Sequence, residues 1–175
     1  DSGAMRALSV DPQPGEADKN ASLLGIFSQC KTAMGSRLLR KWLRQPLVNA
    51  HDIGERHDLV DAFVHDQEMR LAIRDECLPQ MGGDLDRTQR KLASGKAQLQ
   101  DVVFLYQFVL KLPKLLQMLN SHDPASDDEA ALVKRKFAAP LRRVHGDFEQ
   151  YLRLVESAVD LDAARRLEYI VLPSV

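Results

Sequence analysis

A phosphate-binding loop needs a glycine, four spacer residues, a second glycine, a lysine and a hydroxyl residue. Backbone N–H groups then cradle the phosphate while the hydroxyl holds its metal. The nearest text here is Gly95-Lys96-Ala97, with Arg90 where the first glycine belongs and Ala97 where the hydroxyl belongs. No nucleotide site of that kind is expected. The five histidines, His51, His57, His65, His122 and His145, are scattered along the chain. Neither Cys30 nor Cys77 has a second cysteine or a histidine at ligand spacing, so no metal ligand is assigned. His57 and Asp61 stand four apart, the spacing of a local ion pair on a helix surface rather than of a general base. No serine, cysteine or lysine lies in a nucleophile context. Catalytic, cofactor-binding and metal-binding residues are therefore all set at none, and the two thiols read as ordinary half-buried or buried side chains.

Charge is more informative. Lys31, Arg37, Arg40, Lys41 and Arg44 follow one another with no acid between Lys19 and Asp52. At 100° per residue, four of them share one side of a helix, and Met34, Leu38, Leu39, Trp42 and Leu43 share the other. A second basic group is Lys134, Arg135, Lys136, Arg142 and Arg143. Between the two lie acidic stretches, Asp52, Glu55, Asp58, Asp61, Asp66 and Glu68, then Asp123, Asp127, Asp128 and Glu129. Such faces either meet phosphate or neutralise acidic neighbours. A net charge of −1, from 24 basic and 25 acidic residues, favours the second use. No DNA-contacting residue is assigned. Phe104, Tyr106 and Phe108 sit in an apolar run and read as core rather than as a stacking platform.

The elements that carry these residues are helical. The chain has 175 residues, 45% of them apolar and 28% charged, enough to bury one core. That composition argues against a membrane protein, and two cysteines suit a reducing compartment. Residues 1–20 lack the basic start and apolar stretch of a secretory leader and read as a loosely docked lead-in. Helices are expected over Ser22–Cys30, Ala33–Arg44 with Thr32 as cap, and His51–Val64 with Asn49 as cap. Further ones are expected through about Cys77 with Asp66 as cap, over Leu85–Ala93, and over Leu99–Asn120 with a break or kink at Pro113. After the loop Ser121–Glu129, a helix over Ala130–Phe137 should precede a long one over Leu141–Val159 that Pro140 opens. Leu141, Phe148 and Val155 are spaced by seven, as are Val144, Tyr151 and Ala158. One apolar seam would therefore run along about 28 Å of helix. Only Tyr169–Val175 has strand character.

One stretch is more specific than any of these patterns. SLLGIFSQCKTAMGSRLLRKWLRQPL (Ser22–Leu47) sets Cys30-Lys31-Thr32, Met34-Gly35, Arg37-Leu38-Leu39, Trp42-Leu43 and Gln45-Pro46-Leu47 in order. It resembles the opening of the helical core, or lever, domain of the MutS-type DNA mismatch-repair family, within that family most closely the eukaryotic homologue-two branch. The likeness continues in MRALSV (Met5–Val10), IGERHDLVDAFVHD (Ile53–Asp66), LQDVVFLYQFVLKLP (Leu99–Pro113) and YIVLPSV (Tyr169–Val175). Ala33 departs from the proline many relatives carry there, without harm to a first helical turn. The resemblance implies an all-α, multi-helix array with short extended segments at its termini. Residues 1–21 would lead into the lever, 22–162 would form it, and 163–175 would run toward a clamp domain.

The resemblance further implies a non-catalytic fragment that couples an ATPase to a DNA clamp in post-replicative mismatch repair. No cofactor is expected in the fragment; ATP and magnesium would belong to the full-length protein. Implied partners are mismatched duplex DNA through other domains, a second MutS-type subunit in a heterodimer, and MutL-type proteins downstream. The implied location is the nucleus, and no membrane is expected. Two other readings stand beside this one: a stand-alone α-helical protein-interaction module, and a direct DNA binder using the basic faces. Helices that return after the clamp would be missing, so apolar surface should be exposed at Leu99–Leu110 and along the Leu141–Val159 seam.

Overall fold

Short polar side chains start the helices in the computed structural model, which describes residues 2–12 and 18–165. Ser22 accepts from Gly25 N–H at 3.1 Å and Thr32 from Gly35 N–H at 3.1 Å. Asn49 accepts from His51 N–H at 2.9 Å and Asp84 from Arg87 N–H at 3.1 Å. Each oxygen satisfies a donor that the first turn leaves without an intrahelical partner. The result is all-α, with no β-strand among the described residues. The chain divides after Asp58 into two compact units.

The first unit holds α1 (Ser2–Ala7), a 3₁₀ turn (Lys19–Ala21), α2 (Leu23–Phe27), α3 (Ala33–Arg44) and the first half of α4 (Ala50–His65). The lead-in is better anchored than its composition implies. Val10 is buried, and its carbonyl and that of Ser9 accept from Leu24 and Leu23 N–H at 3.0 and 2.9 Å. A short apolar anchor outweighs the surrounding polar text. α2 ends at Phe27, short of the expected Cys30. α3 runs over the expected residues, yet none of its side chains is fully buried, and Leu38 and Trp42 lie open. The Arg56 guanidinium covers the Trp42 ring at 3.8 Å from its centroid.

The second unit continues with α5 (Gln67–Leu71), a wide π turn (Ala72–Cys77), a 3₁₀ turn (Leu78–Met81), α6 (Leu85–Ala93), α7 (Leu99–Val109) and α8 (Leu112–Asn120). Then come α9 (Asp127–Val133), a second π turn (Lys134–Ala138), α10 (Ala139–Asp147), α11 (Glu149–Ala158) and α12 (Leu161–Arg165). Pro113 sits in the first turn of α8 and separates it from α7, as its missing N–H requires. Taken together, Leu99–Asn120 is long and apolar enough by length and composition to cross a membrane, with mean hydropathy 1.4. This narrows the exclusion drawn from composition. In this fold the stretch is two helices, and Val103, Tyr106, Val109, Leu112 and Leu119 are covered by protein.

Three expected boundaries are corrected. Pro140 opens no helix: α9, the π turn and α10 form one run from Asp127 to Asp147, and the widened turn accommodates the proline. The fourth helix likewise passes through a π turn before its end at Met81. The single long helix over Leu141–Val159 is instead two, separated at Phe148 (φ −87°, ψ 0°), whose N–H is shared between Val144 and His145 carbonyls. Gly146 just before it costs a helix about 1 kcal/mol relative to alanine, and Phe148 turns its ring edge-on to Tyr151, with centroids 5.6 Å apart. The strand-like Tyr169–Val175 lies outside the described residues.

Three apolar clusters fill the second unit. The first joins Ala62, Met69, Leu119, Val133 and Ala138. The second joins Val103, Tyr106, Val155, Val159 and Ala164, and the third Cys77, Met81, Val109 and Leu112. The seam is thus divided: Leu141 and Phe148 serve the third cluster, while Tyr151, Val155 and Val159 serve the second. In the stretches where exposed apolar surface was expected, three large side chains are open. Leu110, Val144 and Leu154 are exposed, and an apolar groove of about 400 Å³ lies among Leu92, Leu105, Phe108, Val144 and Phe148.

The α7–α11 contact also carries two hydroxyls. Tyr106 donates to Glu156 at 3.1 Å, and Tyr151 donates to the Val102 carbonyl at 2.7 Å. Burial pushes the Tyr151 phenol up to about 12. Tyr151→Phe should cost about 1–2 kcal/mol in urea unfolding, because the part-buried hydrogen bond from its hydroxyl to the Val102 carbonyl is lost. An absorbance titration of the variant should lose the highest tyrosine transition; retention of that transition would assign it elsewhere.

Candidate functional site

The structure gathers polar groups where the α4–α5 junction meets the loop before α9. Asp66 is the single residue between α4 and α5, and its carboxylate does several things at once. Oδ1 caps α5 by accepting from Met69 N–H at 2.8 Å. Oδ2 accepts from Asp123 N–H at 3.0 Å and lies 2.9 Å from His122 Nδ1. Burial alone pushes the Asp66 carboxyl up. The Met69 and Asp123 N–H groups and His122 together outweigh that, and the net displacement is below the ordinary 3.8. An ionised carboxylate only accepts, so Nδ1 of His122 carries the proton and donates.

The other face of the imidazole meets a second acid. His122 Nε2 is 3.1 Å from Glu129 Oε1, close enough for attraction but off the direction of a hydrogen bond. Glu129 also accepts from Ala125 N–H at 3.4 Å and lies 3.9 Å from Nδ1 of the exposed His65. His122 and Asp66 side chains are only 4% and 8% exposed, which decides what the cluster can do. A general base needs a nitrogen open to substrate. Here both ring nitrogens face carboxylates within a covered site, so the cluster is a tie that joins α4, α5, the loop and α9. Among the described residues, no group of three or more His, Cys, Asp or Glu is arranged to hold a metal.

The sequence-level candidates are placed as follows. In the first unit, Asp11 receives Arg40 Nε at 3.1 Å and Arg44 Nη2 at 2.7 Å. The basic edge of α3 is thus partly neutralised by the lead-in. Lys134, Arg135 and Lys136 ride the second π turn and, with Arg142 and Arg143, stay exposed. Gly95 takes a left-handed turn (φ +66°) that closes α6. Phe104 and Phe108 are half-buried, with centroids 6.2 Å apart, and Tyr106 is core. Sequence reasoning missed the Asp66–His122–Glu129 tie: the cap signal at Asp66 was legible, but its pairing across 56 residues left no periodic trace. It likewise missed Lys91, which binds both Asp101 oxygens at 2.6 and 2.8 Å. The Gln98 N–H and Lys91 hold that carboxyl below its usual range and fix the α6–α7 connection.

The model of MutS domain III matches residues 3–173. The chain is similar to DNA mismatch repair protein Msh2 of Dictyostelium discoideum, 41% identical over 155 residues, covering 88% of this chain and 16% of that protein. It is similar to msh-2 of Neurospora crassa at 39% over 174 residues, covering 99% and 18%. Its identity to MSH2 of Saccharomyces cerevisiae is 34% over 184 residues, covering 93% and 19%. The chain thus spans less than a fifth of the length of these curated relatives.

Proposed function

We propose a function from the following premise: this chain belongs to the MutS family, as its domain III. In our reading it is a non-catalytic lever that links a nucleotide-hydrolysing domain to a clamp on DNA. Residues 22–162 form the lever, and 163–175 lead toward the clamp. ATP and magnesium act elsewhere in the full-length protein, as does contact with mismatched duplex DNA. A second MutS-type subunit, a MutL-type protein and a nuclear location complete the assignment. The observation that carries it is the domain III match over residues 3–173.

The packing supports the role physically. A close-packed array transmits displacement as a body, because its interior is too dense to yield locally. The tie around His122 adds a polar cross-brace at the point where two helices change direction. The reading as a stand-alone interaction module has no comparable support. Direct DNA binding through α3 is weakened by the pairing of Arg40 and Arg44 with Asp11.

The test uses the full-length protein. Leu152 N–H donates to the Phe148 carbonyl at 2.9 Å and starts the ladder of α11. Leu152→Pro removes that bond and sets the ring against the same carbonyl, a loss of about 3 kcal/mol or more within α11. ATP binding should be retained, while stimulation of turnover by DNA and release of the clamp should fall at least about tenfold. Coupling that remains at the wild-type level, in a variant whose helical content is intact, would refute the lever assignment.

A further inference from the structure

Proline inside a helix has no N–H to give, and its ring runs into the carbonyl four residues back. The second unit places a proline within a continuing helical run twice, at Pro79 and Pro140, and the backbone answers both in the same way. Leu78 N–H reaches the Ile73 carbonyl and Ala139 N–H reaches the Lys134 carbonyl, each five residues back rather than four. In both cases the donor is the residue immediately before the proline. The wide turns Ala72–Cys77 and Lys134–Ala138 thus take in one extra residue, which makes room for the ring at the carbonyls of Asp75 and Lys136.

Their placement is as alike as their chemistry, because both turns pack on α8. Ile73 of the first and Phe137 of the second join Leu115, Leu116 and Leu119 in one cluster. Cys77, at the end of the first, joins Leu112 in another. A π turn is rarer than the α turn it replaces and is favoured where a helix must adjust. Burial of Cys77 and Ala138 keeps both turns seated while their outer faces, Arg74 to Glu76 in part and Lys134 to Lys136, meet solvent.

We propose that the two proline-terminated turns are a matched pair of flexure joints. At them, the two helical runs packed on α8 change pitch while their buried side chains stay on it. Motion of this unit is then concentrated at two backbone positions instead of being spread along its helices.

Amide hydrogen exchange on the 175-residue chain tests this directly. The Leu78 and Ala139 amides should exchange about tenfold or more faster than those of Val109 and Leu119 in the regular helices α7 and α8. Pro140→Ala restores an N–H and removes the ring, so exchange at Ala139 should slow about fivefold with no loss of thermal stability. Pro79→Ala should do the same at Leu78. The comparison within the unaltered chain does not depend on how either variant folds. Leu78 and Ala139 amides as slow as those of Val109 and Leu119 would overturn the proposal. So would proline replacements that leave those rates unchanged.

Discussion

Asp66→Ala should destabilise the chain by about 3–5 kcal/mol, the range for removing one member of a buried, hydrogen-bonded charge cluster. Three losses combine. Met69 N–H loses its cap, worth about 1 kcal/mol. Asp123 N–H and His122 Nδ1 lose the oxygen they share, and His122, 4% exposed, is left facing Glu129 alone. Urea unfolding followed by circular dichroism would report the change. A loss below about 1 kcal/mol would mean that the cluster is not the brace described above.

The same residue sets a pH signature whose sign follows from linkage. The Asp66 carboxyl is held below 3.8 in the folded chain. A depressed acid contributes stability that is fully present above its unfolded value and is lost as pH falls through the folded one. Between about pH 5 and about pH 2, the unaltered chain should therefore lose more stability than Asp66→Ala, and the two unfolding curves should converge in acid. Asp66→Asn keeps an acceptor for Met69 N–H but removes the charge. It should fall between the two at neutral pH and show the flatter acid profile. Parallel curves for all three proteins would exclude Asp66 as the titrating group.

Much of this architecture follows from local rules. Thr32, Asn49 and the Pro113 break could be placed because a cap or a proline acts within one turn of its own position. The amphipathic spacing of α3 was legible for the same reason, although the exposure of Leu38 and Trp42 was not, since burial depends on what lies opposite. Pro140 shows where local rules stop. A proline that normally opens a helix is carried inside one here, because Phe137 and Ala138 have packing partners on the first cluster that hold the run together. The break at Phe148 reverses the case: a heptad pattern unbroken in sequence is interrupted at one residue, with Leu152 just after it packing on both the second and the third cluster. His122 is the extreme example. In sequence it is one histidine in an acidic loop, and only the fold brings Asp66 and Glu129 to its two nitrogens. The domain identity was readable from Ser22–Leu47 because that stretch is specific in order, not because any one residue in it is chemically informative.

Gly83→Ala should cost about 2–4 kcal/mol, for two reasons that can be measured apart. Gly83 sits before α6 with φ +87°, a left-handed conformation in which a β-carbon costs about 1–2 kcal/mol. A β-carbon there would also lie against the edge of the Phe104 ring, 2.5 Å from Cζ and 2.9 Å from Cδ2. That ring is half-buried beside Phe108, and relieving the overlap means swinging it out of its cover, about 1–3 kcal/mol more. Phe104→Ala removes the obstacle while leaving the backbone as it is. In that background, Gly83→Ala should cost only the conformational share, about 1–2 kcal/mol. The double-mutant cycle should thus show a coupling of at least about 1 kcal/mol between the two positions. Additive losses would place Phe104 away from Gly83 in solution, and a neutral Gly83→Ala would contradict the left-handed turn itself.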